Sequence, residues 1–266
     1  MSQHSSAALP EVPARVLADE SAAIPRSAAL LLWREAVALF RDPPPPPPDA
    51  AWPQGDGHVV LVLPPFLCTD RVTRHLRNWL DALGYASRGW ELGRCLTPSE
   101  AVVSACAERI EALARRERGR LSLLGISLGG VIAREAAKRR PLDVRQVITL
   151  CSPFRPAIAR RAEPIFRLAA RGRSEAFGAY LTALGTPPPA PTSAFFTRSD
   201  GIVPWQSCLN GESALAENIE IEGAAHATIS RHPEVLATLA ERLAQQDGAW
   251  RPRATAKPPR PGGPKP

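Results

Sequence analysis

A serine lies at the centre of the most chemically suggestive motif in the chain, the pentapeptide Gly125–Gly129, which has the form G-x-S-x-G. A short apolar run over 121–124 precedes the motif and predicts a buried strand, and residues 131–138 predict a helix after it. A serine at such a turn is held in a strained conformation, and its hydroxyl is raised at the carboxyl end of the sheet. The dipole and free N–H groups of the following helix would stabilise a developing negative charge. The motif therefore predicts a nucleophilic Ser127.

The same pentapeptide also occurs in proteins where its serine is not catalytic. It arises by chance, and glycine-rich turns between a strand and a helix also bind phosphates. The dinucleotide pattern G-x-G-x-x-G fails here because Ser127 occupies the place of the second glycine. No Lys-Ser or Lys-Thr pair follows, as a P-loop would require. The choice depends on whether the chain supplies partners for a reactive serine.

Two residues further along the chain could activate such a serine. Asp200 follows a predicted strand over 193–198, and His226 follows another over 218–222. A serine hydroxyl is a weak nucleophile at neutral pH, so a neighbouring base must accept its proton. A histidine can do so, while a carboxylate holds the imidazole in the required tautomer. Taken alone, Asp200 is also a turn-forming Asp-Gly residue and His226 an ordinary loop histidine.

His232 is an alternative base six residues after His226. It precedes Pro233 at the predicted start of a helix, which is typical of a residue that begins a helix rather than of a catalytic base. His226 is therefore the preferred base. Three further histidines lie elsewhere in the chain: His4, His58 and His75.

Strands and helices alternate around these residues. Strands are predicted over 58–63, 85–90, 121–124, 144–150, 193–198 and 218–222. Helices are predicted over 70–83, 131–138 and 233–245, and Gly84 ends the first of them. A further helix is predicted to begin at a capping box over 97–100 and to reach about residue 118. Such alternation predicts an α/β fold with a mostly parallel sheet and helices on both faces.

A helical segment interrupts the alternation between the fourth and fifth strands. Residues 155–184 have helical composition, and a proline-rich stretch over 187–191 leads back to the sheet. Ligands bind above the carboxyl ends of strands in such sheets, so we expect the insertion 155–192 to be a cap over Ser127. The alternative is a surface excursion without a role in substrate access.

The expected catalytic domain spans 57–248 and has an extension at each end. The N-terminal extension, 1–56, contains a predicted helix over about 26–40 and a polyproline spacer over 43–48. The helix either packs on the domain or lies on a membrane surface, and its few charges favour packing. The tail, 249–266, has five basic residues and no acidic ones, and its proline-rich composition predicts disorder.

Composition excludes several classes of protein. The net charge of +7 is concentrated in the tail, and no basic helix face carries interleaved aromatic residues, so nucleic-acid binding is not expected. Apolar runs are too short for a membrane-spanning helix, and the first residues lack a secretory signal. The five cysteines show no C-x-x-C spacing and no His pair has metal-ligand spacing. We expect a cytoplasmic protein with reduced thiols, no metal and no cofactor.

Together these features resemble the α/β-hydrolase fold family, in particular its bacterial lipase-like and esterase-like serine hydrolases. The resemblance covers roughly 58–246 and rests on the elbow with its Leu-Gly-Gly continuation, the Asp-Gly-Ile-Val-Pro segment at 200–204, the strand end Thr-Leu-Cys-Ser-Pro-Phe at 149–154, and the order serine, acid, histidine. It implies a catalytic triad of Ser127, Asp200 and His226 that cleaves carboxylic esters through an acyl-enzyme.

The resemblance also implies an oxyanion hole built from two backbone N–H groups. Leu128, directly after the nucleophile, supplies one of them. The other belongs to the loop after the first strand, where the family pattern points to Phe66. Pro65 replaces the usual glycine of that pattern, and since proline restricts its neighbours, Leu67 stays open as the alternative donor.

The expected substrate is a small-molecule or lipid ester, since the proline-rich, partly apolar cap favours such substrates over charged ones. Two other functions stay open: an acyltransferase that uses the same triad, and a non-catalytic α/β-hydrolase-like binding or regulatory protein. Peripheral membrane contact through the N-terminal helix is not favoured. The residues leave the oligomeric state open.

Overall fold

The computed structural model describes residues 45–96, 98–155 and 184–253, which form one six-stranded sheet. All strand pairs are parallel. The strands are β1 (Val59–Leu63), β2 (Ala86–Gly89), β3 (Leu121–Ile126), β4 (Val144–Leu150), β5 (Thr192–Phe196) and β6 (Ala216–Glu220). The helices are α1 (Asp70–Ala82), α2 (Glu100–Glu117), α3 (Leu128–Arg139) and α4 (Pro233–Leu243). Each predicted strand and helix in these ranges is present, with ends that differ by one to three residues for most elements.

Two apolar cores lie on the two faces of the sheet. Leu61, Leu123 and Val147 pack on one face, in one cluster with α2 and α3. Val60, Leu124 and Ile148 pack on the other face, in one cluster with α1 and α4. Because successive side chains of a strand point to opposite faces, uninterrupted apolar strands are buried on both sides. This arrangement confirms the predicted α/β class.

The strand order β2-β1-β3-β4-β5-β6 places the first strand beside the third. The chain leaves β1 toward β2 on one side and returns through α2 to β3 on the other side. Ligands bind at such a topological switch point, outside the carboxyl ends of the strands. The loop after β1, residues 64–69, and the turn after β3 therefore face each other across the natural binding site of the sheet.

Helix α2 begins later than the predicted capping box implies. Ser99 is its N-cap, and the Ser99 side chain accepts a hydrogen bond from Val102 N. The sequence places Pro98 at the first helical position, and this is wrong, because the helix starts at Glu100 and Ser99 caps it. Thr97 itself lies outside the described residues. Arg118 ends the helix in a left-handed conformation, with φ of 51°.

Packing on the domain, here on helix α1, begins ahead of the expected boundary at Gly57. The Trp52 and Trp79 rings lie 5.8 Å apart, and Gly55 N donates to Leu83 O. At the other end, the first residues of the predicted tail are held by the domain: Arg251 N donates to Gln245 Oε1, and Arg253 N donates to the Glu217 carboxylate.

Several predictions fall on residues outside the described ranges. These are the helix over about 26–40, the beginning of the polyproline spacer, most of the insertion 155–192, and residues 254–266 of the tail. Within the described ranges, no helix combines the length and apolarity needed to cross a bilayer. All five cysteines are free thiols.

Candidate active site

The turn between β3 and α3 presents Ser127. The residue has φ of 51° and ψ of −121°, a backbone conformation that residues other than glycine rarely adopt. Ser127 N donates to Leu150 O at 2.8 Å, and Ser127 O accepts from Gly130 N at 3.0 Å. Because both backbone groups are bonded, the turn is fixed and the hydroxyl projects from the carboxyl end of the sheet.

The glycines of the motif allow three backbone segments to cross at this turn. A Cβ at position 125 would lie 2.3 Å from Gly130 Cα, and one at position 129 would lie 2.5 Å from Pro64 O. A side chain at position 129 would push the turn away from the end of β1, and one at position 125 would push β3 away from the start of α3. The two glycines therefore bring Ser127 and the β1–α1 loop close together.

The structure brings the three predicted residues of the triad into one chain of hydrogen bonds. Ser127 Oγ lies 3.0 Å from His226 Nε2, and His226 Nδ1 lies 2.7 Å from Asp200 Oδ2. A proton on Nδ1 donates to the carboxylate and leaves Nε2 free to accept from the serine. The Asp200 side chain is 1% exposed and that of His226 is 10% exposed, so water competes little for these bonds.

Backbone donors and the histidine together keep Asp200 ionised. Asp200 Oδ1 accepts from Ile202 N at 2.8 Å and from Val203 N at 2.9 Å. Burial raises the pKa of Asp200, but the charge and hydrogen bond of His226 and the two backbone N–H groups outweigh it, so the pKa lies below its ordinary value. An ionised carboxylate is the form that can stabilise an imidazolium.

A stacked assembly positions the loop that carries Asp200. The Trp205 ring stacks on Phe196 at 5.5 Å, and the Arg198 guanidinium lies 4.2 Å from the Trp205 ring centroid. Arg198 Nε also donates to Glu220 on β6 at 2.6 Å. Thr197 Oγ1 donates to Ala224 O, which links the acid loop to the loop that carries the histidine.

His232, the alternative base, is the N-cap residue of α4, and its carbonyl accepts from Leu236 N at 3.1 Å. The ring that contacts Ser127 is that of His226. His75 lies on α1 and its Nε2 is 3.3 Å from Ser230 Oγ. His4 lies outside the described ranges.

His58 belongs to a second serine–histidine–aspartate contact chain that the sequence does not predict. Its Nε2 lies 2.8 Å from Ser122 Oγ, and its Nδ1 contacts Asp56. Ser122 is fully buried inside β3, at the opposite end of the strand from Ser127, with no turn or helix start beside it. A serine without access and without an oxyanion site cannot attack a substrate, so this chain of contacts is structural.

The loop after β1 contains the two predicted candidates for the second oxyanion donor, Phe66 and Leu67. Leu67 N already donates to Cys95 O at 2.6 Å, while Cys95 N donates to Cys68 O at 2.8 Å. Arg94 Nη1 closes the same clamp by donating to Leu67 O at 2.8 Å. Leu67 has a φ of 62°, which the clamp maintains. No acceptor in the described ranges is bonded to Phe66 N.

One group of side chains in the described ranges has the composition and spacing of a metal site. It consists of Cys151, Asp200 and His226, whose candidate ligand atoms all lie within 4.8 Å of one another. Cys151 is fully buried, and burial together with the neighbouring Asp200 raises the pKa of its thiol well above the ordinary value. The residue directly follows β4, the strand that pairs with β3, and the sequence analysis missed it because its contacts depend on which strands are neighbours in the sheet.

Comparison of the whole chain with known proteins gives matches in structure but not in sequence. No family profile matches, and no curated protein matches in sequence. Among solved structures, the chain is similar to a metagenome-derived lipolytic enzyme (20% identity, 72% of this chain and 93% of the other, TM-score 0.52). It is also similar to a monoacylglycerol lipase of Paleococcus ferrophilus (14% identity, 73% of this chain and 96% of the other, TM-score 0.50). A third similar structure is a lipase of Bacillus licheniformis (13% identity, 75% of this chain and 96% of the other, TM-score 0.52).

These identities establish a common fold and no more. The parallel sheet, the switch point and the structural neighbours together show that the chain has the α/β-hydrolase fold. The resemblance drawn from the motifs is confirmed at this level.

Proposed function

We propose that this protein is a serine hydrolase that cleaves carboxylic esters through an acyl-enzyme. The observation that carries the proposal is the continuous hydrogen-bond chain from Ser127 through His226 to Asp200, at the switch point of the sheet. Nucleophile, base and orienting acid are within hydrogen-bond reach of one another, as this chemistry requires.

In the first half-reaction, Ser127 Oγ attacks the ester carbonyl carbon as His226 Nε2 accepts the hydroxyl proton. The carbonyl electron pair moves to oxygen, and this oxyanion accepts hydrogen bonds from the N–H groups of Leu128 and Phe66. Each such donor contributes about 10²- to 10³-fold to kcat. The tetrahedral intermediate collapses to the acyl-enzyme, and the leaving alkoxide takes the proton from His226.

In the second half-reaction, water replaces the alcohol. His226 removes a proton from the water as its oxygen attacks the acyl carbon, and the same two N–H groups bind the new oxyanion. Collapse releases the carboxylic acid, and the proton returns to Ser127 Oγ. Asp200 stays ionised throughout and stabilises the imidazolium in both steps.

An apolar surface beside the proposed oxyanion hole supports an ester with an apolar acyl group. Leu67 and Leu96 are 46% and 48% exposed, on the two segments that the backbone clamp joins. Exposed leucines next to a polar site favour substrates that bury hydrocarbon. The structural neighbours include proteins described as lipolytic enzymes and lipases, which supports small-molecule or lipid esters as the substrate class.

The test is turnover of a series of p-nitrophenyl esters by three purified variants. Ser127→Ala and His226→Ala are expected to lose turnover while keeping the thermal unfolding midpoint of the wild type. His232→Ala is the matched control, since it removes a histidine six residues away that does not contact Ser127, and we expect it to retain activity. Loss of turnover in His232→Ala with retention in His226→Ala would overturn the assignment of the base.

A further inference from the structure

Cys151 is placed next to the proposed triad by the end of β4. Its backbone is left-handed, with φ of 47°, and its N–H donates to Phe195 O at 2.9 Å. Its Sγ, a carboxylate oxygen of Asp200 and a ring nitrogen of His226 lie within 4.8 Å of one another. The mechanism proposed above gives this thiol no part, although its sulfur lies in one group with the acid and the base.

We propose that Cys151, Asp200 and His226 form a binding site for a thiophilic divalent cation such as Zn²⁺ or Cd²⁺, and that the bound cation switches the enzyme off. The binding part rests on the geometry of the three side chains alone. The inhibitory part rests on the proposed hydrolase function.

The three ligand types suit this class of cation. Thiolate, imidazole and carboxylate are the ligands that Zn²⁺ prefers, and thiolate selects it over harder cations such as Mg²⁺. Bond lengths of about 2.0 to 2.3 Å separate tetrahedral ligand atoms by about 3.3 to 3.8 Å. The His226–Asp200 pair is now closer, at 2.7 Å, and the whole group lies within 4.8 Å. Small side-chain shifts therefore complete the site.

The surroundings leave the necessary lone pair on Asp200. Oδ1 accepts the N–H groups of Ile202 and Val203 and is held by them. Oδ2 faces His226 Nδ1, and this is the pair between which the cation would enter. Fixed outer hydrogen bonds of this kind orient a metal-binding carboxylate.

Binding exchanges protons without any oxidant or reductant. The Cys151 thiol releases its proton to solvent as the bond between sulfur and metal forms. His226 Nδ1 gives its lone pair to the metal, and its proton moves to Nε2. An Nε2 that carries a proton donates to Ser127 Oγ instead of accepting from it, so the base is lost while the cation is bound.

The first arm of the test measures binding independently of turnover. Ser127→Ala protein is titrated with CdCl₂ and followed by the ultraviolet charge-transfer band of the cadmium–thiolate bond. We expect one cadmium ion per chain at this site. When Cys151→Ser is combined with Ser127→Ala, the intensity of the band should fall by the contribution of one thiolate. Cys208→Ser is the matched control, because Cys208 is an equally buried thiol outside the group, and its band should equal that of the parent. An unchanged band in Cys151→Ser would overturn the proposal.

The second arm measures ester turnover in the presence of Zn²⁺ or Cd²⁺. Wild-type activity should fall and return on addition of EDTA, and Cys151→Ser should need at least tenfold more cation for half-inhibition. Equal sensitivity of the two proteins contradicts the proposal. If Cys151→Ser does not fold, titration of His226→Ala with CdCl₂ replaces it, with at least tenfold weaker binding expected and equal binding contradictory. Absence of turnover with intact cadmium binding would refute the proposed function but not the site.

Discussion

Ser127 shows how one residue combines strain with support. Its left-handed backbone costs on the order of 1 to 3 kcal/mol. Hydrogen bonds to Leu150 O and from Gly130 N hold it in that conformation. The strained turn is what places the hydroxyl 3.0 Å from His226 Nε2. Ser122, relaxed inside a strand, also meets a histidine, yet it has no access to a substrate.

Replacing the acid tests the role of the tautomer. Asp200→Asn keeps the volume of the side chain, but its amide can donate to Nδ1 and stabilise the wrong imidazole tautomer, so we expect kcat for ester hydrolysis to fall by about 10⁴-fold. Steady-state kinetics on a soluble ester measure this. Ser199→Ala, one residue away, is the control and should remain close to wild type; a mild loss in Asp200→Asn would argue against an orienting carboxylate.

At the residue scale, sequence patterns found the three members of the proposed triad because each follows a predicted strand or has a recognisable turn. Cys151 and the clamp of Leu67 with Cys95 escaped prediction. Their contacts depend on which strand ends and loops are neighbours, and spacing along one chain does not contain that information. The same limit leaves Phe66 and Leu67 as alternatives in the sequence, which gives no sign that Leu67 N is bonded to Cys95 O.

At the scale of elements, the turn from β3 to α3 depends on glycine where backbone segments touch. Gly129→Ala would place a Cβ 2.5 Å from Pro64 O, and rigid backbone cannot yield as a side chain could. We expect a loss of about 1 to 3 kcal/mol of unfolding free energy, together with a loss of turnover.

Gly185→Ala is the matched control for this change, because among the described residues no atom beyond its chain neighbours lies within 4 Å of an added Cβ there. Urea denaturation of both variants measures the difference. Equal stability of Gly129→Ala and Gly185→Ala would show that the turn is less tightly packed than the contacts imply.

Helix α1 meets the 3-10 helix Ile229–Arg231 through His75 and Ser230, and this contact predicts a dependence of stability on pH. Burial, with the charge of Arg231, lowers the pKa of His75 to about 4. Between pH 6.5 and pH 4 the unfolded chain therefore binds a proton that the folded protein does not. Stability from this histidine is present above pH 6.5 and is lost as the pH falls through that interval.

His75→Gln removes this titration. Between pH 7 and pH 5, the wild type should lose about 1 to 2 kcal/mol more unfolding free energy than the variant, measured by urea denaturation at both pH values. His58 is present in both proteins, so its own titration cancels. Parallel losses in the two proteins would mean that His75 keeps an ordinary pKa.

Element bounds were predictable where apolar runs or helix stop signals were clear. β4 has the predicted bounds, 144–150, since β-branched residues are frequent in this segment even though Arg145 and Gln146 interrupt its apolar residues. The start of α2 was not predictable, because Thr97 and Ser99 are both acceptable N-cap residues in the sequence. The hydrogen bond from Val102 N to the Ser99 side chain identifies Ser99 as the N-cap.

At the scale of the whole molecule, the two ends of the described chain pack on one region of the sheet. Asp56 accepts from Arg145 Nη1 at 2.7 Å, and Arg253 N donates to the buried Glu217 carboxylate. Arg242 Nη1 donates to Arg251 O at 3.0 Å. Composition alone placed residues 249–253 in a disordered tail. Proline and arginine residues in the sequence do not indicate that a backbone N–H among them donates a hydrogen bond to a buried carboxylate.

Two truncations separate these residues from the rest of the tail. Removal of 254–266 should leave the thermal midpoint unchanged, whereas removal of 249–266 deprives Glu217 of a hydrogen bond worth about 1.5 to 3 kcal/mol and should lower the midpoint by several degrees. Differential scanning calorimetry measures both. Equal midpoints for the two truncations would show that residues 249–253 add nothing to stability.

The proposed function requires Ser127 to be an activated nucleophile. Its most direct measurement is labelling with a fluorophosphonate probe, followed by mass mapping of the modified peptide. We predict one adduct per chain, at Ser127, with labelling lost in His226→Ala and retained in His232→Ala. A folded wild-type protein that gives no adduct, or an adduct at another serine, would contradict the account.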